Sequence, residues 1–146
     1  GAVAALAECS GPLVVISADT AISMMAVNAK QELVGGVILP GPQLSLSALV
    51  KNTAQLPQID LAAKAPASIL GKSTSSCLQN GFVLGTASLL DGLAERFCAE
   101  LGPQTAFYAT GNLPIPIREA CCTPILYRET LITDGLYRIW MKNKKG

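Results

Sequence analysis

An α/β domain is the fold class that three observations in the sequence predict. Three short apolar runs, residues 13–16, 21–27 and 33–39, follow one another with links of only a few mostly polar residues, the pattern of neighbouring strands. Two longer stretches, 42–56 and 74–101, then carry apolar residues at the three-to-four spacing of helices. Finally, the 146 residues are 50% hydrophobic and only 14% charged, enough for one well-buried core and for some apolar surface covered by another chain.

Taken in order, residues 2–9 are small or apolar except Glu8 and read as the last turns of a helix closed by Gly11 and Pro12. The chain is thus expected to begin in mid-element. Leu13-Val14-Val15-Ile16 has the continuous apolar character of a strand buried on both faces. The links 17–20 and 28–31 are short enough for an antiparallel meander, which makes the three strands neighbours. The third of them, Gly35-Gly36-Val37-Ile38-Leu39-Pro40-Gly41, is the stretch around which the rest is arranged: Pro40-Gly41 stops the strand and turns the chain. Its apolar residues are expected to be covered.

Pro42 suits a first helical turn, and Leu46, Leu49, Val50 and Thr53 recur at helical spacing, so a helix is expected over 42–56, with Pro57 ending it. Residues 58–70 contain Pro66, several alanines and no period, and are expected to form an exposed connection carrying a short strand such as 58–61. The helix over 74–101 is capped by the serine-rich cluster 73–76 and stopped by Gly102-Pro103. A short strand at 105–109, a turn at Thr110-Gly111-Asn112, a short helix within 113–123 and an extended piece at 124–127 follow. The final helix, 131–144, has Asp134 in its first turn and Lys142, Lys144 and Lys145 at its end, as the helix dipole favours.

The long helix carries no charge from Ser73 to Leu90. Leu78, Phe82, Thr86, Leu89, Leu93 and Phe97 mark one face, and Val83, Ala87, Leu90, Ala94 and Cys98 the next, a stripe wider than one sheet can cover. Gly81 and Gly85 would admit a second helix at short range. Core packing and a subunit interface are both readings of this stretch.

Eleven basic residues against ten acidic ones give a net charge of +1, with the dense basic run confined to 142–145. This is no electrostatic footprint for nucleic acid. The longest apolar runs are too short, or too interrupted by glycine, for a spanning helix. The protein therefore reads as soluble and cytoplasmic, with neither nucleic acid nor membrane as partner. Five cysteines without C-x-x-C spacing, and no histidine, do not complete a zinc set. Cysteine's preference for the interior predicts buried thiols, and the lack of histidine excludes Ser-His and Cys-His nucleophile pairs within the chain. Gly71-Lys72-Ser73 imitates the end of a phosphate-binding P-loop, but Pro66 stands where the pattern needs its first glycine. What is left is a glycine, a lysine and hydroxyls at a helix start, a helix cap or a hold for a polar ligand.

Five features in sequence order carry a family resemblance. They are the strand and turn closing on Thr20-Ala21; Gly35 to Gly41 followed by Leu44, Leu49 and Asn52-Thr53-Ala54-Gln55-Leu56-Pro57; Gly71-Lys72-Ser73-Thr74; Gly81-Phe82 with Asp91-Gly92; and Ala109-Thr110-Gly111. Together they resemble the C-terminal half of the type III pantothenate kinases, enzymes of the acetyl-and-sugar-kinase/actin superfamily that phosphorylate pantothenate with ATP in coenzyme A biosynthesis. The resemblance implies the C-terminal half of an actin-like (ribonuclease H-like) kinase fold, a mixed sheet with packed helices, in which Thr20 and Gly111 touch ATP and Thr74 binds pantothenate. ATP, Mg2+ and a monovalent cation are implied with it. So is a partner: the family's Asp-rich phosphate loop and the Gly-x-Asp-Arg stretch bearing its base are expected before residue 1. No catalytic residue is then expected in this chain, and an N-terminal lobe chain or a homologous subunit would complete the site. Family members form dimers through their C-terminal halves, which points to an oligomer through the 73–90 helix.

The departures from the family pattern matter as much. Ser17 replaces the aspartate that holds the monovalent cation, Asp19 a glycine beside the ATP threonine, Met25 an acidic residue, and Asn112 the second glycine of the Thr-Gly-Gly turn. Two unit charges about 4 Å apart, at an effective dielectric of about 20, repel by roughly 4 kcal/mol, so Asp19 facing phosphates would oppose ATP. Two further readings follow from these changes: a non-catalytic, regulatory or partner-binding relative, and a small-molecule binding domain that uses Thr74 without chemistry.

Overall fold

The computed structural model describes residues 10–144, so the helix expected at 2–9 lies outside the described residues. Strands β1 (Leu13–Ala18), β2 (Ala21–Val27) and β3 (Leu33–Pro40) form the expected antiparallel meander. Helices α1 (Pro42–Lys51) and α2 (Thr74–Leu101) follow, then β4 (Ala106–Gly111), α3 (Ile115–Ala120), β5 (Ile125–Tyr127) and α4 (Leu131–Lys144). The strands make one five-stranded mixed sheet in the order β3-β2-β1-β4-β5, with β4 parallel to β1 and β5 parallel to β4.

Strand β1 is central, and its alternation divides the core. Val14, Ile16 and Ala18 point to the face covered by α1, α2 and α3, where Ile22, Met24, Leu46, Val83, Leu90 and Ile117 join them. Leu13 and Val15 point the other way, to a smaller cluster with Val27, Tyr108 and Leu131 at the start of α4. Among the described residues, the first turns of α4 are what covers that second face, and over β3 none does. Strand β3, expected to be covered, is accordingly an exposed edge, with Leu33 62% and Ile38 77% exposed. Gly35 takes φ +136° where the β2–β3 register slips at Ala26/Val27, a bulge that a side chain would resist.

Helix α2 runs from Thr74 to Leu101 as its cap and stop signals indicate. Val83, Ala87, Leu90 and Ala94 form its buried stripe, while Leu89 on the neighbouring face is 42% exposed. Helix α1 corrects the reading of 42–56 by ending at Lys51. The Asn52 side-chain amide donates to Ala48 O at 2.7 Å and the Thr53 hydroxyl to Leu49 O at 2.7 Å, taking up carbonyls that a further turn would have used. No strand forms at 58–61. Asp60 instead closes a turn by accepting from the Ala62 amide at 2.9 Å, and Leu61, 1% exposed, drops into the core. The connection is therefore anchored at that point, and again at its end, where buried Asn80 donates to Ser68 O at 2.8 Å.

Two smaller corrections concern the third quarter of the chain and the thiols. Thr110 and Gly111 end β4 rather than forming a turn beyond it. Cys77 and Cys122 are exposed, one in the first turn of α2 and the other in the loop after α3, and Cys98 and Cys121 are half-buried. Among the described residues, no helix is long and apolar enough to cross a membrane.

Candidate functional site

The carboxyl ends of β1 and β4 lie side by side, and the chain leaves them in opposite directions, β1 turning into β2 and β4 leading through α3 to β5. Such a divergence leaves a crevice at the strand ends, the usual ligand position in an open α/β sheet. Two glycines shape it. Gly111 takes φ +87° and lies so close to Ala18 that a Cβ would strike the Ala18 carbonyl oxygen. Gly41 sits on the other side of the β1–β2 turn, where a Cβ would stand 2.6 Å from Asp19 O and 2.7 Å from Thr20 O. The Gly41 amide donates to Thr20 O at 2.9 Å, and the Asn112 amide donates to Ala18 O. The Asp19-Thr20 turn is thus held between two side-chain-free backbones, with both of its own side chains exposed.

This arrangement brings Thr20 and Gly111 to the same end of the sheet. Ser17 lies one step inside it, opposite Ser23 of β2 and Thr110 of β4, so the strands offer neutral hydroxyl oxygens at the position where the resemblance implies a cation. Without a carboxylate that trio is a poor fit for a monovalent ion, and Thr110 already donates to Glu129 O at 3.3 Å. Met25 pairs with Gly36 on β3, where a Cβ would stand 2.7 Å from its sulfur. Asp19, in the β1–β2 turn, places an exposed carboxylate at these strand ends.

Thr74 is placed apart from this pair. It is the exposed first residue of α2, seven positions ahead of Gly81, or about 10 Å along the axis at 1.5 Å per residue. A cleft of about 250 Å³ lined by Leu39, Pro42, Ser45, Phe82, Gly85 and Leu89 lies where α2 passes the end of β3. The cap beneath Thr74 is complete in itself: Ser73 Oγ accepts from the Ser76 amide at 3.2 Å, and Ser76 Oγ accepts from the Lys72 and Ser73 amides at 2.9 Å each. The Lys72 and Ser73 amides, two of those that a P-loop would aim at phosphate, are occupied. Gly71 is needed for another reason, since a Cβ there would stand 2.5 Å from the Cys77 amide nitrogen.

The structural roles of three residues, Asp91, Tyr127 and Arg118, went unread in the sequence. Asp91, in the middle of α2, accepts from the Cys122 and Thr123 amides at 2.8 Å each and so ties the loop after α3 to the long helix. Burial works to raise the Asp91 pKa, but the two backbone donors outweigh it and hold the carboxyl below its ordinary value of 3.8. Cys121 beside it is pushed up to about 11 by burial, with the Asp91 charge and Cys122 adding to the shift. Tyr127 donates its hydroxyl to the Gly111 carbonyl, and the Arg118 guanidinium lies over the Tyr127 ring, 3.9 Å from its centre. For Asp91 the signal was its place as the first charge after an uncharged run. For Tyr127 and Arg118 no local pattern existed, because their partner is set by the β4–β5 register.

The sequence model for the type III pantothenate kinase family matches residues 1–96. The chain belongs to the type III pantothenate kinase family. Curated relatives with that name include a protein of Koribacter versatilis (strain Ellin345), 38% identical over 99% of this chain and 52% of its own length, and one of Solibacter usitatus (strain Ellin6076), 35% identical over 97% and 53%. A "type III pantothenate kinase 2" of Symbiobacterium thermophilum is 37% identical over 99% of this chain and 55% of its own. The chain thus spans about half the length of the curated type III pantothenate kinases it matches. A crystal structure from Campylobacter jejuni, of a conserved protein assigned to the Baf family of transcriptional activators, superposes with a TM-score of 0.67 over 98% of this chain and 63% of that one. At 20% identity that likeness speaks to the fold alone.

Proposed function

We propose that this chain supplies the C-terminal half of a type III pantothenate kinase, acting in the ATP-dependent phosphorylation of pantothenate that leads to coenzyme A, and that an N-terminal lobe is needed to complete the site. The observation that carries the reading is the crevice between β1 and β4, where two glycine backbones hold the Asp19-Thr20 turn open at the strand ends. The strand order, with β2 alone running against the other four, supports the C-terminal half of an actin-like fold. In that role Thr20 and Gly111 face ATP, and Thr74 receives pantothenate at the head of α2.

In-line phosphoryl transfer demands little covalent chemistry of the protein; it demands positioning of the two substrates and neutralisation of charge. This half supplies backbone and hydroxyl contacts. The base that takes the proton from the pantothenate hydroxyl, and the loop that cradles the phosphates, come from the other lobe. Mg2+, when bound, would supply charge neutralisation on the phosphates, and Asp19, exposed at the strand ends, is a residue of this half that would approach it. The neutral Ser17 position gives no support to a monovalent cation here, and no step depends on one.

The test is phosphorylation of radiolabelled pantothenate by the purified chain, alone and with a chain carrying the Asp-rich loop and the Gly-x-Asp-Arg stretch. The chain alone should give no turnover and the pair should. Turnover by the single chain would overturn the division of labour, and a pair that assembles but stays inactive would favour the non-catalytic, partner-binding reading, which Ser17, Asp19 and Met25 support. The same assembly tests whether α2 residues 73–90 form the subunit contact and, in cells, whether the protein is cytoplasmic.

A further inference from the structure

We infer that Tyr127 is a positioning residue that sets the orientation of the Gly111–Asn112 peptide at the end of β4. The inference rests on the reading of Gly111 as a nucleotide contact. Gly111 has no side chain to wedge it, and glycine is the residue whose backbone is least restricted by sterics. Besides the close approach of Ala18, hydrogen bonds set its orientation. On one side the Asn112 amide donates to Ala18 O, and on the other the Gly111 carbonyl accepts from the Tyr127 hydroxyl. The peptide is therefore gripped between β1 and the edge strand β5.

The grip is itself fixed. Tyr127 stands opposite Ala109 in the parallel β4–β5 register, and the two residues after it continue the attachment. The Arg128 amide donates to Ala109 O at 2.8 Å, and Glu129 O accepts from the Thr110 hydroxyl at 3.3 Å. Above the ring, Arg118 from α3 lies 3.9 Å from the ring centre and limits its tilt. The Arg118 Nε is buried with no hydrogen-bond partner, so the stack on the ring is what the structure shows holding this guanidinium. A tyrosine kept only to fill space would lose nothing on becoming phenylalanine. Here the hydroxyl reaches the carbonyl of the residue proposed to meet ATP.

The experiment is Y127F in the assembled protein, chain plus N-terminal lobe, with calorimetric binding of MgATP and of pantothenate, thermal melting, and amide exchange at Asn112. Loss of one neutral hydrogen bond corresponds to a change of about tenfold or less. Y127F should weaken MgATP binding by about that factor, speed exchange at Asn112, and leave pantothenate binding within about twofold. R118M, which keeps the hydroxyl but frees the ring, should give a smaller change of the same kind and serves if Y127F does not fold. Unchanged MgATP binding in Y127F, with wild type binding well, would overturn the positioning role and leave the nucleotide reading standing. An equal loss for both ligands with a lowered melting temperature would also overturn it, as a purely structural effect. A wild-type assembly that binds pantothenate but no MgATP would remove the nucleotide reading of Gly111 and this inference together.

Discussion

Asp91 is the first charge after a long uncharged stretch of α2, and its two bonds to the Cys122 and Thr123 amides make it a fastening as well as a solubilising group. Because its carboxyl is held below 3.8 in the folded chain, the stability it contributes is fully present above that value and is lost as pH falls through the lowered native pKa. D91N removes the charge and presents a donor to two donors; hydrogen bonds to a charged group contribute about 1.5–3 kcal/mol, and a loss in that range is expected. Urea titrations at pH 7 and below 3.8 should show the wild type losing this advantage in acid while D91N changes less; parallel acid limbs would refute the assignment. Asp19 is the opposite case, an exposed carboxylate beside the proposed phosphate position. D19N should tighten ATP binding at low Mg2+ by relieving repulsion. Weaker binding at saturating Mg2+ would instead show the carboxylate meeting the ion, and no change under either condition would place it outside the site.

At the scale of elements, α2 shows what sequence signals convey well and where they stop. Its bounds could be read because both ends are chemical: a serine cap whose hydroxyls satisfy free amides, and a glycine whose φ of +114° ends the run. Helix α1 could not be bounded in the same way. Thr53 fits the apolar spacing, yet its hydroxyl and the Asn52 amide turn back on the helix and end it, a competition that spacing alone does not reveal. The glycine pair on α2 leads to a test. A Cβ at Gly81 or Gly85 meets no atom of the described residues within 4 Å, so G85L should leave the fold unchanged while filling any space reserved for another helix. Self-association measured by sedimentation should fall markedly, with circular dichroism unaltered. A wild type that stays monomeric at high concentration, alone and with the other lobe, would dispose of the interface.

For the molecule as a whole, the meander and the class of fold were legible because β1, β2 and β3 are local in sequence and strongly apolar. The placement of β4 beside β1, which brings Gly111 to Ala18, rests on pairing between segments far apart in the chain, and no periodicity records it. The same holds for burial: a continuous apolar run marks both the central β1 and the exposed β3, since the composition of a strand does not say how many of its faces another element covers. The apolar side of α4 belongs to that problem. Leu136, Tyr137 and Trp140 are 63%, 60% and 54% exposed, and the Lys144 ammonium lies 4.8 Å from the Trp140 ring centre. Trp140 is the single tryptophan of the chain, which makes α4 an optical reporter. Its fluorescence should be red-shifted and open to collisional quenchers in the isolated chain, with iodide, drawn in by Lys142 and Lys144, more effective than caesium, and that difference should shrink at high salt. Any species that covers this helix, whatever its identity, should announce itself as a blue shift and a loss of quenching, without a label being added to the protein.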